Sequence, residues 1–241
     1  MTINKNMLPS EDIIPIAFMG GSGGNFLCHF IISAKRKDKT LPILSEHGNV
    51  HNDYNYKDLD GPALGPKDPD SEKLKFLLSQ EISDNVKLTP PPYYTVVHFT
   101  ETKLLATNFK KAIKIIFDKD DVNDIATSFV AKYQIDTLGE SNDPKQLNIM
   151  NVASQLSIFK WHKYFLKEDY SNILFISWKE LFLGDIDQLI NKISEYTGIE
   201  SDYFLKDSLI MWRIKTQQGL DNFRTKINNF RTPNNNFRTP N

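Results

Sequence analysis

Residues 13–35 read IIPIAFMGGSGGNFLCHFIISAK. Ile13-Ile14-Pro15-Ile16-Ala17-Phe18 is a short unbroken apolar run, the pattern of a strand buried on both faces. Gly20-Gly21-Ser22-Gly23-Gly24 interrupts it. From Asn25 onward Phe26, Leu27, Phe30 and Ile31 recur on one helical face. The stretch therefore predicts a strand, a glycine loop and a helix, in that order. A helix N-terminus turns free N–H groups and the positive end of its dipole outward, so a phosphate suits it. Glycines let the backbone approach a ligand closely and take positive φ, and Ser22 and Asn25 add side-chain donors. A plain glycine turn without a ligand is the simpler alternative.

The class of phosphate site is narrowed by what is missing. No Gly-Lys-Ser/Thr follows the loop, so the pattern of ordinary ATPases is absent. The dinucleotide pattern G-x-G-x-x-G fails because Phe26 stands where its third glycine belongs.

Outward from the loop, Tyr94-Thr95-Val96-Val97-His98-Phe99, Lys114-Ile115-Ile116-Phe117 and Ile173-Leu174-Phe175-Ile176 are three further strand candidates. Helices are expected over 71–82, 121–134, 150–167 and 185–196, the last with Ile186, Leu189, Ile190 and Ile193 inward and Gly198 as its stop. Four short apolar strands alternating with helices predict a three-layer α/β/α fold with a mainly parallel sheet.

The chain has 241 residues, 40% hydrophobic and 24% charged. This fits one domain, taken as residues 1–220, with an insert over 36–92 rich in Asp, Asn, Gly, Pro and Tyr. The net charge of -1 gives no bulk pull toward nucleic acid or membranes. Cys28 is the only cysteine, so neither an internal disulfide nor a cysteine zinc site is available. No apolar run approaches the ~20 residues of a membrane span, and no leader is evident, so a cytoplasmic protein is expected. Asn-Phe-Arg-Thr recurs at 222–225, 229–232 and 236–239. One Phe per seven residues is too little for a coiled coil, and Pro233 and Pro240 oppose helix. Residues 221–241 read as a low-complexity, mostly disordered tail.

FMGGSGGNFL resembles the first loop of the sulfotransferases, (Y/F)-P-(K/R)-S-G-T-(T/S)-(W/F)-L. VVHFTETKLL is similar to their strand ending in Thr-His. IKIIFDKDDVNDIATSFVAKY is similar to I-x-x-x-R-x-P-x-D-x-x-x-S, and ILFISWKELFLGDIDQLINKISEYTGI to their last strand and helix. Together these cover about residues 13–200. The resemblance implies a P-loop NTPase-like sulfotransferase fold. It implies transfer of the sulfuryl group of 3′-phosphoadenosine 5′-phosphosulfate, PAPS, to a hydroxyl or amine of a carbohydrate or small molecule, without a metal. Gly20, Gly21, Ser22, Gly23, Gly24, Asn25 and Phe26 would hold the 5′-phosphosulfate. His98 would be the catalytic base. Asp124 and Ser128, with Lys119, would hold the 3′-phosphate. Gly21 and Asp120 stand where the family carries basic residues; Lys114, Arg36 and Arg213 are other candidates for the missing charge. Two rivals accompany this reading: a nucleotide-dependent kinase or phosphotransferase, and a binding or structural protein that keeps the fold without catalysis. No nucleic-acid or membrane partner is expected.

Overall fold

The computed structural model describes residues 10–44, 58, 70–78, 90–98, 101–121, 124, 125, 127 and 170–231. Its centre is a four-stranded sheet of β1 (Ile13–Ala17), β2 (Tyr93–Val97), β3 (Ala112–Ile116) and β4 (Ile173–Ser177). All pairs are parallel and the spatial order is β2-β1-β3-β4. Every residue of β1 and β2 is buried, as a parallel sheet covered on both faces requires.

Pro15 lies in β1, a central strand, although proline cannot donate to a ladder. The backbone direction resolves this. Phe18 donates its N–H to Val97 O. Amides alternate sides along a strand, so the even-numbered N–H groups of β1 face β2 and the odd-numbered ones face β3. The ladder to β3 begins at Ile16↔Ile113, so the donor that Pro15 lacks falls before that ladder starts.

Ile14, Ile16, Tyr94, Val96, Ile113, Ile115 and Ile176 face one helical layer. It is made of α1 (Gly24–Lys35), α4 (Trp178–Leu183), α5 (Ile186–Thr197) and α6 (Lys206–Arg231). Ile13, Ala17, Tyr93, Val97, Ala112, Ile173 and Phe175 face the other, where α2 (Asp70–Leu78) contributes Leu77 and α3 (Thr102–Asn108) contributes Leu105. The expected three layers are present. From β1 to β2 the chain steps one way across the sheet, and from β2 to β3 it steps back over β1. Right-handed connections then place α1 and α3 on opposite faces, and they lie so.

The helices start and stop where local chemistry dictates. At α4 Ser177 Oγ accepts from Glu180 N–H at 3.0 Å while Glu180 accepts from Ser177 N–H at 2.6 Å, a complete capping box. Asp185 caps α5 through Gln188 N–H, and Gly198 ends it at φ 78°. The expected strands and the helix over 185–196 are found, with ends shifted by a residue or two, and the helix expected over 71–82 is found over its described part, Asp70–Leu78. The helix expected over 121–134 is described only at 121, 124, 125 and 127; Asp121 closes a 3-10 turn and the other three are helical. The one expected over 150–167 lies outside the described residues.

The tail differs from expectation. Helix α6 does not stop at residue 220 but runs to Arg231, taking in the first Asn-Phe-Arg-Thr copy and entering the second. Leu209, Trp212 and Leu220 anchor it in the core as far as residue 220, and extending an anchored helix fixes one residue per new hydrogen bond. The third copy lies outside the described residues.

Candidate functional site

The C-terminal ends of the four strands share one edge of the sheet. Between β1 and β3 the direction of chain progression reverses, and such a switch point opens a crevice in parallel α/β sheets. The glycine loop leaves β1 there and the turn 117–121 leaves β3.

The loop is closed on itself. Ser22 donates both its N–H and its hydroxyl to Met19 O, at 3.0 and 2.6 Å. The Ser22 side chain is fully buried, so its proton is committed within the loop rather than offered outward. Gly21 and Gly23 take φ of 86° and 85°, which suits glycine. Gly23 is the N-cap of α1, and among the described residues no side chain caps that end. No acidic residue stands in its first turn. The amides of Gly24, Asn25 and Phe26 therefore form an uncapped positive helix end. Asn25 is half-buried at the second helical position, and Gly20 is buried beneath the turn.

Two of the glycines also answer to packing. A Cβ on Gly23 would stand 2.6 Å from the Trp212 ring, and one on Gly24 would stand 2.0 Å from the Phe18 ring. Phe26 points away from the crevice. It is 1% exposed and stacks on Trp212 at 4.7 Å and 9°, and on Phe30 at 5.7 Å and 22°. Phe26 is a core residue that fixes the axis of α1 rather than a ligand-facing aromatic.

His98 follows β2 directly and is half-buried. Its Nδ1 lies 3.0 Å from Phe18 O, and its ring packs on the Phe18 ring at 4.5 Å. A carbonyl only accepts, so Nδ1 carries the proton. In the neutral ring Nε2 is then the basic nitrogen. The histidine is thus joined to the first residue after β1.

On the β3 side, Lys119, Asp120 and Asp121 form a single helical turn. Asp121 is buried, accepts from Asp118 N–H at 3.0 Å and pairs with Lys179 at 3.4 Å. Lys179 is held protonated above its ordinary range, first by its hydrogen bond to Asp121 and then by the charge of that carboxylate. Asp124 pairs with Arg224 of α6, which also lies 3.6 Å from Asp221. Asp120 is exposed. The Lys119 side chain and Ser128 lie outside the described residues.

The other basic candidates are committed elsewhere. Arg36 pairs with the buried Asp58 at 2.7 Å. Arg213 donates to Leu181 O, Gly184 O and Glu180 O at 3.0, 2.7 and 3.1 Å, closing the end of α4. Lys114 is fully buried on the α2/α3 face, where its register neighbour Ala17 is small, and it donates to Thr102 Oγ1 at 2.6 Å. The signal that Arg213 and Arg36 are structural was not visible locally, since their partners are distant in sequence.

Among the described residues no cluster of three or more His, Cys, Asp and Glu is placed to hold a metal ion, and no helix is long and apolar enough to cross a membrane. No known family matches the chain and no curated protein matches it.

Proposed function

We propose that the chain binds the phosphosulfate end of a nucleotide at the glycine loop and transfers its sulfuryl group to a hydroxyl or amine acceptor, as a sulfotransferase. One observation carries this reading: the uncapped N-terminus of α1, reached through a self-closed glycine turn, opens at the switch point of a parallel sheet. The donor implied by the resemblance is PAPS, and its 5′ end suits a ring of backbone amides.

The chain's residues have distinct parts in the reaction. His98 Nε2 takes the proton of the acceptor as the acceptor oxygen or nitrogen bonds to sulfur, and a ring of near-neutral pKa suits that task. The Phe18 carbonyl holds the ring's tautomer. The amides of Gly24, Asn25 and Phe26 stabilise the charge that gathers on the departing phosphate oxygen as the S–O bond breaks. What the donor supplies is the activated sulfuryl group.

A second reading, a nucleotide-binding protein without transfer activity, is favoured by the charges. Arg36 and Arg213 serve the fold, and Asp120 stands where the family carries arginine. A kinase reading gains nothing comparable, since no lysine follows the loop glycines.

One experiment separates these. A thermal shift is measured with 3′-phosphoadenosine 5′-phosphate, with AMP, and with ATP and magnesium. A ligand that binds only the folded state raises the midpoint. A response to the bisphosphate, with turnover that His98→Gln abolishes, supports the sulfotransferase. A response without turnover supports the binding protein. A response to ATP and magnesium alone supports the kinase, and no response sinks all three.

A further inference from the structure

Helix α6 buries one face in the core through Leu209, Trp212, Thr216 and Leu220. Its outward face carries an ordered pattern. Lys206, Ile210, Ile214, Gln217 and Asp221 are all exposed, and their spacing of three and four residues puts them on one stripe. The stripe is about 22 Å from end to end, from the rise of an α-helix. Isoleucine stands in its middle, a cation at one end and a carboxylate at the other. Ile210 is 40% and Ile214 is 52% exposed. A third apolar side chain joins them from α4. Arg213 donates to Leu181 O and Gly184 O, which bracket Leu183, so the end of α4 lies against the turn of α6 that carries the two isoleucines. Leu183 is 67% exposed. Apolar residues exposed singly are ordinary, whereas neighbouring ones rimmed by polar groups mark an interaction surface.

The charges select the partner. A stripe with one sign at both ends would repel its own copy, and this one carries opposite signs. Laid antiparallel on itself about a two-fold axis between residues 213 and 214, it sets Lys206 opposite Asp221 of a second copy, at both ends at once. The two Ile214 side chains then meet close to the axis, with Ile210 opposite Gln217. Such contact of one face with itself is the commonest way for identical chains to pair. Within one chain Lys206 already pairs with Asp187 at 2.5 Å. Asp221 accepts from Gln217 at 2.8 Å and lies 3.6 Å from Arg224. An ammonium has three donors and a carboxylate several lone pairs, so each can add a partner across the axis.

We infer that this face of α6, with Leu183 beside it, is a self-association surface on which two copies of the chain pair antiparallel as a symmetric dimer. The pairing is independent of the glycine loop and of what the loop binds. One helix face lies at the small end of interface sizes, so the dimer forms and dissociates with concentration rather than persisting.

The test is sedimentation velocity of the full chain over a wide range of concentration. The mass is expected to climb from 27.8 kDa, one chain, toward twice that. Ile214→Glu sets two like charges together at the axis and is expected to abolish the climb. Lys206→Glu and Asp221→Lys each set like charges opposite one another at both ends, and each should weaken association about fivefold or more, the scale of two exposed ion pairs. The double reversal, Lys206→Glu with Asp221→Lys, restores opposite signs and should recover the association. All three positions are exposed, so the thermal midpoints of the dilute chains should differ little, which separates lost pairing from lost folding. A chain of one mass at every concentration overturns the inference and leaves the stripe to a different partner. Association that survives Ile214→Glu overturns it by placing the contact elsewhere. Association that ignores the single reversals, or that the double reversal does not restore, overturns the antiparallel pairing.

Discussion

At Gly24 the missing side chain is a packing requirement before it is a binding one. The Phe18 ring occupies the space a Cβ would need, and the same ring supports His98. Gly24→Ala is expected to destabilise the fold by about 1–3 kcal/mol, the scale of overpacking, and to disturb His98 as well, read from the His98 ring proton shifts. Gly23→Ala adds the strain of a non-glycine residue at φ 85° and a clash with Trp212, so its thermal midpoint should fall further than that of Gly24→Ala. His29 makes a second residue-scale case. It is buried on α1, where Nε2 meets Ser33 Oγ at 3.3 Å and Nδ1 has no partner. Burial holds its pKa down, against the charge of Asp38, which pulls it up. A depressed folded pKa means that the unfolded chain takes up its proton first as pH falls. Stability is therefore full above about 6.5, the unfolded value, and declines as pH drops toward the lower folded value. Thermal midpoints between pH 7.5 and 5 should show this slope, and His29→Leu should flatten it. The glycines were legible in the sequence as a loop. That Gly23 faces a tryptophan was not, because no local pattern links residue 23 to residue 212.

At the scale of elements, α4 shows how a short helix is held. It has only six residues, Trp178–Leu183, too few for propensity to sustain. Its start is a capping box, and its end is clasped by three N–H groups of Arg213. Burial lowers the Arg213 pKa, partly offset by Asp185, yet guanidinium stays charged throughout the working pH range. Arg213→Ala is expected to cost about 2–3 kcal/mol, since it leaves partly buried carbonyls unpaired. Arg213→Lys should recover little, because one ammonium cannot reproduce the planar fork. Urea unfolding curves of the two variants check both statements. Sequence periodicity located α5 to within a residue or two because its apolar face is regular and its cap and stop residues are standard. It missed α4, whose length is below what periodicity resolves. It misjudged α6, whose low apolar content past residue 220 read as tail. Anchorage by Leu209, Trp212 and Leu220 outweighed that local composition.

At the scale of the molecule, Asp58 ties distant parts together. It is fully buried and accepts from Arg36 at 2.7 Å, Lys35 at 3.4 Å and Tyr94 N–H at 3.0 Å, while its own N–H donates to Tyr94 O at 2.8 Å. It thus joins the end of α1 to the outer edge of β2, an edge that would otherwise expose unpaired backbone. Asp58→Ala leaves buried positive charge without its counter-ion and is expected to cost about 3 kcal/mol or more, seen as a matching fall in the denaturation midpoint. The class of fold was in the sequence: four short apolar runs, a glycine loop at the head of a helix, and helical periods between. Those signals are local, because pleat, helical repeat and turn chemistry act over a few neighbouring residues. The strand order, the assignment of helices to faces, the engagement of Arg36 and Arg213 in the frame, and the placing of Trp212 and Leu181 beside Gly23 belong to the tertiary structure alone. They depend on which distant residues meet across the sheet, and a periodicity read along the chain carries no record of that meeting.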